Sequence, residues 1–132
     1  MNTAIISGNL GRDPELRFTA NGKAVASFSV AAASNYVKSN GEGTEITDWL
    51  NVVCWGKLAE SVGNMLTKGD NVLVKGRISI RSYEAKDGVK RYVTEIIADY
   101  VSRNITNDEK IQKNDSSFDH YGSDVNEEEI PF

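Results

Sequence analysis

The sequence predicts an all-β domain with one short helix, a five-stranded Greek-key barrel followed by a disordered acidic tail. Three observations carry this reading. Five strand-like runs, rich in Val, Ile, Thr and aromatic residues, are separated by turns containing Gly, Asn or Asp. A single segment, between the third and fourth runs, has convincing helical spacing. After Arg103 the periodicity stops and the sign of the charge changes.

The elements follow in order. Thr3 to Leu10 alternates and contains β-branched residues, so it reads as a strand. Gly8, Gly11 and Asp13-Pro14 break the pattern, and Glu15 to Thr19 reads as a short continuation. Asn21-Gly22 is a hairpin dipeptide. It leads into a second strand, Ala24 to about Tyr36, whose even positions share one face. Ser39 to Thr44 is a flexible loop by composition. The third strand runs from Glu45 to Trp55. The helix is expected over Lys57–Lys68, with Leu58, Val62, Met65 and Leu66 spaced by three and four. Gly69 suits the left-handed residue after its end. A fourth strand covers Asn71 to Tyr83, Asp87-Gly88 forms a turn, and a fifth strand covers Lys90 to about Arg103. Five strands with one helix between the third and fourth match a barrel of the OB type.

Composition narrows the class. The chain has 132 residues and 39% hydrophobic content, enough for one packed domain. No apolar run approaches the ~18 residues of a membrane span, and the N-terminus lacks the pattern of a signal peptide. The one cysteine, Cys54, has no partner for an internal disulfide and reads as a small buried hydrophobe. These points suggest an intracellular, cytoplasmic protein without membrane association. Residues 1–103 carry 13 Lys and Arg against 11 Asp and Glu, whereas residues 104–132 carry 2 against 8. A mildly basic body with an acidic tail suits a nucleic-acid surface joined to an interaction tail, although such a tail can also serve solubility alone. The expected organisation is a barrel domain over 1–103, a disordered linker over 104–126 and an acidic tip over 127–132.

Both tryptophans lie in the third strand, six residues apart, so strand parity places Trp49 and Trp55 on one face with Asn51. Leu50, Val52 and Cys54 then point into the core. Asp48 falls on that core-side parity and is a misfit. In the fourth strand Val72, Val74, Ile78 and Ile80 are expected in the core, with Lys75, Arg77, Arg81 and Tyr83 outside. Cations and aromatics along one exposed face suit a phosphate track with rings for bases. The competing reading is an ordinary solvated face rich in Lys and Arg. Tyr36 and Lys57 extend the set, and together with Asn51 they complete the expected nucleic-acid-binding residues. Trp55, at the end of its strand, is the ring with most reason to be partly core. Tyr92 and Tyr100 share a face with Ile96 and are assigned to packing.

An enzyme is not expected. The one histidine, His120, lies in the tail, no Cys/His cluster could hold zinc, and no phosphate-cradling Gly-rich motif precedes a helix. No cofactor or metal is implied.

The chain resembles the bacterial-type single-stranded DNA-binding proteins, bacteriophage members included. The resemblance rests on Gly8-Asn9-Leu10-Gly11-Arg12-Asp13-Pro14-Glu15, Trp49 with Val52-Val53, Gly56-Lys57-Leu58-Ala59-Glu60, Lys68-Gly69, Val74-Lys75-Gly76-Arg77, Asp87-Gly88 and Arg91-Tyr92. It also rests on the acidic end Glu127-Glu128-Glu129-Ile130-Pro131-Phe132. That family is itself a standard illustration of stacking platforms on OB barrels. The resemblance implies a homotetramer around which single strands wrap without sequence preference. Its stacking aromatics match Tyr36, Trp49, Trp55 and Tyr83, with Tyr36, Trp55 and Tyr83 replacing aromatics of other kinds. It further implies that residues Glu127, Glu128, Glu129, Ile130, Pro131 and Phe132 dock on replication, recombination and repair proteins. A nucleoid-associated protein, or one of the host cytoplasm if phage-encoded, would follow. The tail is shorter than in many members and lacks a long Gly/Gln/Pro-rich linker. The alternative is an OB-fold protein-interaction module, such as a primosome-type accessory dimer, whose exposed aromatics bind protein.

Overall fold

The computed structural model describes residues 1–105. The expected linker (104–126) and tip (127–132) lie outside them, apart from Asn104 and Ile105. The elements are β1 (Ala4–Leu10), β2 (Glu15–Phe18), β3 (Ala24–Val37), β4 (Gly43–Trp55), α1 (Lys57–Met65), β5 (Asn71–Glu84) and β6 (Lys90–Asn104).

Strand alternation builds the barrel. Ala24, Ala26, Phe28 and Val30 of β3, Val52 and Cys54 of β4, Val72 and Val74 of β5, and Ile96 and Ala98 of β6 are all buried in one cluster. Burying a Val side chain of this kind is worth roughly 1.5–3 kcal/mol, so these short runs supply much of the stability. The sheet order is β1-β5-β6-β4-β3-β2, and an additional β1–β3 pairing closes β1, β5, β6, β4 and β3 into a five-stranded barrel. All pairs are antiparallel except β4 with β6, which join in parallel through Val52↔Ile96 and Val53↔Ile97. This is the OB arrangement expected from the sequence. β2 continues along the same edge of β3 that β1 occupies, after the break at Gly11 to Pro14.

Helix α1 packs on β3 and β4, burying Ala59 and Val62. It ends at Met65, three residues earlier than the spacing suggests. The N–H of Leu66 still donates to the Val62 carbonyl, but Leu66 itself is extended and buried in the core. The N–H of Thr67 donates to Asp70 Oδ2 at 2.9 Å, which takes it out of any helical ladder. Gly69 does adopt a positive φ, 88°, but in this Thr67–Asp70 turn and not as the helix cap.

The same turn locks the start of the chain. Leu10 N–H donates to the Asp70 carbonyl and Gly69 N–H to the Leu10 carbonyl, both at 2.9 Å. Lys68 N–H donates to Asp13 Oδ1 at 2.8 Å. The Gly8–Glu15 and Lys68–Gly69 motifs are therefore two halves of one joint. Beside it, Asn104 Nδ2 donates to Asn71 Oδ1 and Asn71 Nδ2 to Asn9 Oδ1, tying three strands at one level.

Two hairpins, β3–β4 and β5–β6, run on past the barrel, and this corrects several expectations. Ile78 and Ile80 have the core parity but are 44% and 65% exposed: Ile78 borders an open cleft with Ala4, Ile6, Leu50 and Ile96, and Ile80 lies further out along the hairpin. Asp48 is explained in the same way. It pairs with Ala32 where the β3–β4 hairpin leaves the core, and its carboxylate is in water. Tyr92 and Tyr100 are exposed and not packing residues. Tyr92 lies on the free part of the β5–β6 hairpin. Tyr100 is turned outward by a bulge: Lys75 faces Tyr100 while Gly76 faces Ala98, so Asp99 is an extra residue and the parity flips there.

Candidate nucleic-acid interface

The outer face of β4 carries Trp49, Asn51 and Trp55, as strand parity requires, and all three are exposed. Six residues at roughly 3.3 Å each put the two indoles about 20 Å apart along the strand. Trp49 is the more open, at 62% exposure. Its ring lies over Gly11, where a Cβ would come within 2.4 Å of Cζ3, so only the bare backbone of glycine leaves room for this pose. Trp55 is 42% exposed and is not a core ring. Lys23 Nζ sits 5.3 Å from its ring centroid, within cation–π range, which places a positive charge beside a flat apolar surface.

The β5 residues join the same surface through the ladder. Val53 of β4 pairs with Ile97 of β6, and Ile97 pairs with Arg77 of β5. Arg77 is thus two strands from Val53, about 10 Å away across the sheet. Lys75, Arg81 and Tyr83 lie on the same side of β5 and are exposed. Lys57 is exposed at the first turn of α1. Tyr36 is exposed near the β3–β4 tip, opposite Thr44. By parity it lies on the other side of its hairpin from Trp49, so the structure does not bring it onto the Trp49–Trp55 face.

The cations are not equivalent. Lys75 Nζ is 3.5 Å from Asp99 Oδ1, and Arg81 Nε donates to Glu95 Oε1 at 3.0 Å. Arg77 has no ion-pair partner among the described residues. Sequence reasoning missed Gly11, Lys23, Glu95 and Asp99, since their roles depend on cross-strand register. It also missed the exposed Tyr92, whose ring has Lys90 Nζ 5.8 Å from its centroid.

Burial pushes the Cys54 thiol up to about 12, so it stays protonated. Among the described residues no three His, Cys, Asp or Glu side chains converge as metal ligands. No helix among them is long and apolar enough to cross a membrane. The exposed rings and cations instead form a surface able to stack flat groups and hold anions.

Comparison with known proteins agrees with this geometry. Residues 1–104 match the model of the Single-strand binding protein family. The chain is 49% identical over 102 residues to Single-stranded DNA-binding protein 3 of Clostridium acetobutylicum, covering 76% of this chain and 69% of that one. It is 40% identical to the Single-stranded DNA-binding protein of Clostridium tetani across the whole of both chains. The structure is similar to that of a deletion variant of the single-stranded DNA binding protein from Thermus aquaticus, with a TM-score of 0.72, 27% identity, and coverage of 80% of this chain and 51% of that one. An OB barrel with this outer face, matched over nearly all of its described length, belongs to the single-strand binding protein family.

Proposed function

We propose that this chain is a non-enzymatic protein that binds single-stranded DNA without sequence preference, coating and protecting it during replication, recombination and repair. The observation that carries the reading is the pair of exposed indoles, Trp49 and Trp55, on one barrel face that also bears the uncompensated Arg77. Stacking on such rings is worth about 1–3 kcal/mol per base and is indifferent to base identity. Cations between the rings fix the backbone and make binding weaken with salt. Asn51, Lys57, Lys75, Arg81 and Tyr83 extend the track, and Tyr36 serves a strand that passes around the β3–β4 hairpin. Relatives named as single-stranded DNA-binding proteins support the same reading.

The proposal extends to organisation. The barrel domain binds DNA, residues 104–126 serve as a linker, and residues 127–132 dock partner proteins in the cytoplasm, where the protein is nucleoid-associated or, for a phage, in the host. Self-association as a homotetramer is supported by Ile78 and Ile80, apolar side chains left exposed on the β5–β6 hairpin. The same residues favour a second reading, an interaction module that binds protein through apolar surface.

Titration of tryptophan fluorescence with oligo(dT), set against duplex of equal charge at moderate salt, separates the two. Quenching and a strong single-strand preference are expected. No preference would support the interaction module instead. Sizing of the free protein tests the tetramer. Removal of Glu127 to Phe132 is expected to leave DNA affinity intact or raised and to abolish capture of replication proteins.

A further inference from the structure

Asp99 is the one residue on β6 that the ladder does not pair, and it lies against a cation of the proposed DNA track. The bulge that produces it is built into the backbone. At Gly76 a Cβ would come within 2.1 Å of the Ile97 carbonyl oxygen, so the close approach of β5 to β6 beside the bulge requires glycine. One residue on, the Asp99 carboxylate reaches Lys75 Nζ at 3.5 Å, with side chains 66% and 49% exposed. The other compensated cation is held differently. Glu95, the partner of Arg81, has a side chain only 10% exposed, so that carboxylate is fixed in the protein surface.

We propose that Asp99 is a displaceable counter-charge that limits how strongly Lys75 grips a nucleic-acid backbone. The inference rests on the single-strand-binding reading above. An exposed ion pair is weak and screened. A phosphate arriving at Lys75 can therefore replace the carboxylate, but binding loses what the pair contributed. The track then contains three kinds of cation: Arg77 uncompensated, Arg81 compensated by a fixed charge, and Lys75 compensated by a charge that can swing away. Asp99 thereby lowers affinity and keeps release from the strand rapid, while leaving the stacking rings untouched.

The test is a double-mutant cycle on the full chain with oligo(dT) as probe, titrated over a range of salt concentrations. Asp99→Asn is expected to tighten binding about two- to fivefold, the range set by exposed ion pairs. Its slope of log K against log salt should change by less than the about 0.7 of a whole phosphate contact, because Lys75 meets a phosphate with or without Asp99. In a Lys75→Gln background the same Asp99→Asn change should give no gain and no change of slope. A gain that persists undiminished in that background would show that Asp99 acts only through the general field, and overturns the proposal. So does unchanged affinity in the single variant. Both outcomes presuppose that the unaltered chain binds oligo(dT). Its failure to do so would remove the function reading itself, and this one with it. Thermal unfolding of each variant confirms that the barrel is intact.

Discussion

Trp49 lies on Gly11, with its six-membered ring where a Cβ at position 11 would be. The contact joins the first break in the chain to the centre of the proposed stacking face. Gly11 needs no positive φ, so alanine meets no backbone penalty there. The clash falls on the far edge of an exposed ring that is able to move. Gly11→Ala is therefore expected to fold normally, with little loss in Tm, while tilting the indole. Altered Trp49 emission and weaker oligo(dT) binding, measured in a Trp55→Phe background, are the expected outcome. Loss of folding instead would mean that the ring is fixed by more than Gly11.

The two indoles should not contribute equally. Trp49→Ala and Trp55→Ala are each expected to cost about 1–3 kcal/mol of single-strand affinity, the range for loss of one stacking platform. Trp49 is the more exposed, and Lys23 stands beside Trp55. The larger loss is expected for Trp49→Ala, and Lys23→Gln should reproduce part of the Trp55 effect with a shallower salt dependence. Titration of all three variants against the same oligonucleotide checks the order.

Arg77 has no ion-pair partner among the described residues, so its charge is fully available to a phosphate. Arg77→Gln is expected to weaken binding for every sequence alike and to reduce the salt slope by about 0.7. Arg81→Gln is expected to change the slope less, because Glu95 already compensates the charge of Arg81. Equal slopes for the two variants would contradict this ranking.

Cys54 gives a pH signature of folding. Its pKa is pushed up to about 12 by burial, from 9.0 when free. Above pH 9 the unfolded chain gives up this proton while the folded chain keeps it, so the unfolded state binds fewer protons and stability falls with rising pH. The contribution is complete below pH 9 and is lost progressively between about 9 and 12. Cys54→Ala is expected to remove that part of the alkaline slope, read from urea unfolding at several pH values. In the native protein the thiol should resist alkylation at pH 8 and react on unfolding.

Much of the fold was legible in the sequence because period-two burial is a local property. Leu50, Val52 and Cys54, and Val72 and Val74, point inward as parity requires. The same rule misplaces Ile78 and Ile80, because parity says which side a residue faces and not whether anything lies opposite it. Tyr100 was misread for another reason. One extra residue, Asp99, reverses the alternation, and a bulge leaves no local signature in a run such as Ile97-Ala98-Asp99-Tyr100. The residue types of the site were visible, since rings and cations on one strand face need only local reading. Their partners were not. Gly11 under Trp49, Asp99 beside Lys75 and Glu95 beside Arg81 are contacts between strands, and they depend on a register that one strand cannot reveal.

The two hairpins that outrun the barrel give the molecule an adjustable reach. From Ile80 and Thr94 to its tip the β5–β6 hairpin has no buried residue, so nothing buried enforces its length there. Two residues added to each strand there would carry Tyr83 outward by about 7 Å, keep it on the same side, and disturb no core residue. The barrel and the span of DNA it engages can thus vary separately, with length changing in steps of a residue pair.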